Sequence, residues 1–240
     1  MSAPIDDREL EGLTEVVWPV YRLDEPGLTD DAGRTSNAYA VRSREGLVLV
    51  DHDGGRFRRR AEQDGTTALA PRVHLHTSWA TLLDLQPRDG DRVHHLTILE
   101  GLDSRVLARP DLVEDARENP VLHLEHIEPW PMEGVLPGAC MYLVTAGNTL
   151  LAGDCAVGPQ PGEPPMLFPA PGYPSAAAGA GWRRLVHERQ IDAVLPRFGE
   201  PLLRSQLGDA IFDAALANIW NGDAIDPAQG GIISRVNRAA

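Results

Sequence analysis

Lysine is missing altogether, and all 22 basic residues are arginine. Without lysine there is no Schiff-base chemistry and no P-loop lysine to hold phosphates, so two broad enzyme classes are excluded. Cysteine is scarce too: Cys140 and Cys155 are too few for a disulfide framework. No apolar run approaches the roughly 18 residues of a membrane span, and the first residues lack a positively charged leader with an apolar core. The expectation is a cytoplasmic protein with both thiols reduced. Positive charge is also short, since 35 acidic against 22 basic residues leave a formal net charge of −13. That balance argues against nucleic acid or an anionic membrane as a partner, because both require a basic surface.

What is present is a chain of 240 residues, enough for a substantial core. A single domain over 1–240 is expected, with residues 1–13 forming a loose acidic segment. Residues 158–181, rich in Pro, Gly and Ala, are expected to be a long loop that packs on the body or covers a cleft. Residues 15–23 read as one strand, which Pro19 confines to an edge or a bulge. Residues 37–42 and 47–51 read as a hairpin whose second strand, LVLVD, ends on Asp51. Residues 56–63 read as a short exposed helix whose arginines form a solvated face. A poorly patterned stretch follows, with strand-like 93–99 and 105–109 and a short acidic helix over 111–118. Alternation predicts a strand over 121–127, which sets His123 and His126 on opposite faces. A strand pair over 141–145 and 149–152 turns at Gly147 and Asn148. The last elements are a helix over 182–190, a buried strand over 191–195 and an amphipathic helix over 202–220.

Between these lies PRVHLHTSWA, residues 71–80, a buried strand over 72–75 that runs into two histidines, His74 and His76. Two imidazoles at a strand end are a common start to a metal site. The residues after them, Thr77, Ser78 and Trp79, are not metal ligands.

The order of features resembles the metallo-β-lactamase fold superfamily over about residues 14–205. It runs from a hairpin ending LVLVD-x-D-G, through a helix and a strand ending HxH, to a Gly-x-x-Pro-Gly strand entry. A hairpin ending LLAGD, a helix and a strand ending LPxxG complete it. The resemblance implies an α/β (α+β) protein, a four-layer αββα sandwich with a metal site where strands of both sheets end. In that family HxHxDH supplies four ligands. The first two fall on His74 and His76, the others on Ser78 and Trp79. The histidine of a GHxxG loop falls on Val135, and the last one, in a PGHG turn, on Phe198. The bridging aspartate is kept as Asp154, and Asp51 stands where the family supports the HxHxDH loop by hydrogen bonding. Cys155, next to Asp154, is read as a small core residue.

Ser78, Trp79 and Phe198 leave a second metal without ligands. Two arrangements remain open. His74, His76 and Asp154 hold one zinc, iron or manganese ion; or the three satisfy one another without metal, with Asp51 joining them. Three functions follow. The first is a pseudoenzyme, without catalysis or cofactor, whose cleft takes a small molecule against a wall of Trp79, Phe198 and the proline-rich loop. The second is a mononuclear metal-dependent hydrolase of ester, thioester or lactone bonds. The third is an interaction module that forms a homo-oligomer through its C-terminal helix. The coordinated loss of four ligands favours the first.

Overall fold

A computed structural model describes residues 12–24, 35–43, 46–52, 73–77, 105–107, 126–132, 139–169 and 176–221. Its first sheet opens with a hairpin, β1 (Leu13–Val17) and β2 (Val20–Leu23). The chain reverses at Trp18 and Pro19, joined by a cis peptide, so the single strand expected over 15–23 is two. A proline cannot donate to a ladder, and here it falls in the turn.

Strands β3 (Tyr39–Ser43) and β4 (Gly46–Val50) form the predicted hairpin. β5 (Val73–Leu75) and β6 (Arg105–Leu107) add in parallel, and the sheet runs β1-β2-β3-β4-β5-β6. Most of the strand expected over 121–127 lies outside the described residues, and β7 runs over Ile127–Pro131. His126 lies before it, exposed, in a turn with φ 69°. β8 (Cys140–Val144) and β9 (Thr149–Val157) follow, joined by a 3-10 turn over Thr145–Gly147 and by Asn148 at φ 47°.

After β10 (Phe168–Pro169), which pairs with β9, come α1 (Ala176–Glu188) and β11 (Ala193–Phe198). The stretch expected as a loop over 158–181 therefore contains a short strand and the start of a helix. α1 begins six residues ahead of the helix expected at 182, because the alanines before Trp182 are strong helix formers. The amphipathic stretch from 202 is not one helix either. It divides into β12 (Leu202–Leu203), α2 (Arg204–Leu207) and α3 (Asp209–Asn221). Gly208, at φ 77° and ψ 160°, breaks it. The second sheet runs β12-β11-β9-β8-β7.

Strand alternation sorts the core into layers. Tyr39, Val41, Val48, Val50 and Leu75 of the first sheet pack against Ile127, Cys140, Tyr142, Val144, Leu151 and Leu195 of the second. The second sheet's other face, with Met141, Leu143, Leu150, Ala152 and Val194, packs against Trp182 and Leu185 of α1 and Phe212, Leu216 and Ile219 of α3. Leu23, Ala40, Leu47 and Leu49 on the first sheet's outer face are buried as well. The arrangement is a mixed α/β sandwich of two sheets with helices on the second. The helices expected over 56–63 and 111–118 lie outside the described residues. Among the described residues, no helix is long and apolar enough to cross a membrane.

Two tyrosines tie the sheets together in opposite directions. Tyr39, from the first sheet, donates its hydroxyl to the Pro196 carbonyl of the second at 2.8 Å. Tyr142, from the second, donates to the His76 carbonyl at the end of β5 at 3.0 Å. Both rings are fully buried.

Candidate functional site

The ends of β4, β5 and β11 meet the middle of β9, and each of the four strands contributes one group. At the end of β4, Asp51 takes a left-handed conformation, φ 57°, which aspartate tolerates better than most residues. Its carboxylate turns onto the segment after β5. Oδ1 accepts the Thr77 backbone N–H at 2.8 Å, and Oδ2 accepts the Thr77 hydroxyl at 2.8 Å. The same Thr77 oxygen accepts the Asp154 backbone N–H at 3.3 Å, and the Thr77 carbonyl accepts from Cys140. A threonine read in the sequence only as a non-ligand thus joins the end of β5 to β4, β8 and β9.

Asp154 reaches the site because β9 is irregular there. Leu150 and Ala152 face the helices, and strict alternation would send residue 154 the same way. Instead the pairing with β11 jumps from Leu151–Leu195 to Gly153–Pro196, one extra residue in β9. This is a β-bulge, with Gly153 at φ 51°. Beyond it Cys155 and Ala156 face the helices, in accord with reading Cys155 as a core residue. A Cβ on Gly153 would lie 1.9 Å from the Thr77 hydroxyl oxygen, so only glycine permits this approach.

The fourth group is Arg197 of β11. Leu195 points between the sheets, and Arg197, two residues on, shares its face. The guanidinium Nη1 lies 3.3 Å from both oxygens of Asp154, with the two side chains 5% and 9% exposed. That distance exceeds a tight charge-assisted hydrogen bond, so the attraction is chiefly Coulombic. The guanidinium also lies over the ring of half-buried Phe198, 5.1 Å from its centroid. Two buried carboxylates thus face one cation. Burial, followed by the charge of Asp154, pushes Asp51 up to about 7; Arg197 and the two Thr77 hydrogen bonds oppose the shift.

Of the residues singled out in the sequence, Asp51, His76 and Phe198 fall at these strand ends and Asp154 at the bulge inside β9, and His76 is buried. His74 lies in β5, but its side chain, like Ser78, Trp79 and Val135, is outside the described residues. The residue that sequence reasoning missed is Arg197. Its signal was available: an arginine inside the apolar strand AVLPRF must find a buried counter-charge.

No family model matches the chain, and no curated protein matches its sequence. Solved structures do. A metallo-β-lactamase from Pontibacter korlensis is similar with a TM-score of 0.53 at 14% identity, over 86% of this chain and 98% of that one. The DIM-1 metallo-β-lactamase gives 0.53 at 12%, over 87% and 94%. A metallo-β-lactamase from Erythrobacter litoralis gives 0.52 at 14%, over 86% and 90%. This chain has the metallo-β-lactamase fold.

The residues present do not fit the paired metal site that the family resemblance implies. A fixed positive charge already lies on the carboxylate that would bridge two cations, and Phe198 offers no donor atom. Among the described residues, no three His, Cys, Asp or Glu side chains come together as a metal-binding group.

Proposed function

We propose that this protein is a non-catalytic member of its fold, a pseudoenzyme whose cleft binds a small molecule. The observation that carries the reading is the Arg197 guanidinium on Asp154. Hydrolysis in a paired-metal site depends on two cations that acidify a bridging water and stabilise the oxyanion formed on attack. A guanidinium stabilises negative charge, but it cannot generate hydroxide at neutral pH, because it neither coordinates water nor gives up its own proton. Half-buried Phe198, over whose ring that guanidinium lies, would give an organic ligand an apolar contact. Both cysteines are buried in the core, and this reading places the protein in the cytoplasm, where thiols stay reduced.

Metal analysis of protein purified from culture supplemented with zinc, iron and manganese tests the proposal, with His76→Ala as control. Substoichiometric metal in both proteins is expected. One equivalent in the wild type, lost in the control, would overturn the proposal in favour of a mononuclear hydrolase built on His74, His76 and Asp154.

A further inference from the structure

We infer that Arg197 is a tethered cation that performs the structural task of a metal ion: it neutralises the carboxylates brought together by the two sheets and so holds the strand ends closed. The inference rests on the pseudoenzyme reading and goes beyond it, because it assigns the cluster a job. The backbone that carries Arg197 is anchored to the segment that leads into the first sheet. The Arg197 carbonyl accepts the backbone N–H of Asn37, just ahead of β3. The Asn37 side chain donates to the carbonyls of Pro196 at 3.2 Å and Gly199 at 2.7 Å, on either side of it. Tyr39 fixes the Pro196 carbonyl as well.

Asp154 is fixed independently, by the Gly153 bulge that rests on Thr77, and Thr77 is bound in turn by Asp51. One positive charge therefore joins β11 to β9 directly and to β4 and β5 through Thr77. Arginine suits this place better than lysine would. Its planar, weakly hydrated head can face a carboxylate with one edge while an aromatic ring covers its face, as Phe198 does. If the cation is lost, the carboxylates of Asp51 and Asp154 remain buried together without the positive charge that opposes their repulsion.

Three variants test this by thermal unfolding at pH 8: Arg197→Gln, Asp154→Asn and the double variant. Arg197→Gln is expected to lower Tm by about 10 °C or more. Asp154→Asn should lower it less, and the double variant should regain at least half of the loss caused by Arg197→Gln. Should Arg197→Gln not fold, recovery of a folded double variant gives the same answer. A single variant within the error of wild type, or a double variant at the sum of the two single losses, would overturn the inference. The two proposals fail separately: metal found in the wild type removes the pseudoenzyme reading, whereas additivity in this cycle removes only the role given to Arg197.

Discussion

Asp51 shows how much of this site depends on one proton. Its folded pKa of about 7 stands above the ordinary 3.8. The folded state therefore keeps a proton that the unfolded chain has lost across that interval. The sign follows: the Asp51 contribution is most favourable at or below pH 4, declines as pH rises to about 7, and is constant above. Asp51→Asn keeps the size of the side chain and an oxygen to accept the Thr77 N–H, but carries no charge. Its Tm, measured against wild type, should gain steadily between pH 4 and 7 and then level off. A gap that does not change with pH would show that Asp51 is not the titrating group. At this scale the sequence was legible in placement, since Asp51 follows the strand it was expected to end and Asp154 lies near it, although β9 runs on past Asp154. It was silent at Thr77, because a hydroxyl that joins three strands looks locally like any threonine. It misled at the PRFG turn, where attention went to Phe198 in the histidine position while the buried charge lay one residue earlier.

Among the elements, β9 does the most to build the site, and it does so through a defect. The bulge at Gly153 changes which way its last residues face, and without it Asp154 would lie under the helices. Gly153→Ala adds both left-handed strain and a clash with Thr77, and should cost about 3 kcal/mol or more in chemical denaturation. Gly208 supplies an internal comparison. It is also at positive φ, but nothing lies within 4 Å of an added Cβ. Gly208→Ala should therefore cost about 1–2 kcal/mol, from backbone strain alone. Equal losses would mean that the contact with Thr77 is not what demands glycine at 153. Strands such as β4, β8 and β11 were readable because continuous apolar runs mark buried strands, and β3 because its residues alternate. Their continuations were not. The extension of β9 to Val157 runs through Gly and Asp, which do not read as strand, and the break at Gly208 depends on a backbone conformation that an apolar pattern cannot reveal. The C-terminal helix offers a related lesson. Amphipathicity over 202–220 suggested a surface for self-association, yet α3 places Phe212, Ala215, Leu216 and Ile219 in the chain's own core.

For the whole molecule, the order of elements carried the fold even though no family model matches the sequence, because a sandwich is specified by which strands are apolar and in what succession. The tyrosines that cross between the sheets give this architecture an optical property. Burial raises the phenol of Tyr39, and raises that of Tyr142 well above its ordinary value, so neither ionises while the sandwich is closed. These are two of only four tyrosines in the chain. In an alkaline titration followed by phenolate absorbance, their share of the signal should be missing through pH 10 and then appear abruptly. Their raised values also remove stability above pH 10, so the same alkali that reveals them promotes the opening. The delayed absorbance is a built-in, label-free clock for the parting of the two sheets; phenolate signal from all accessible and buried rings in one smooth transition would mean that the clock does not run.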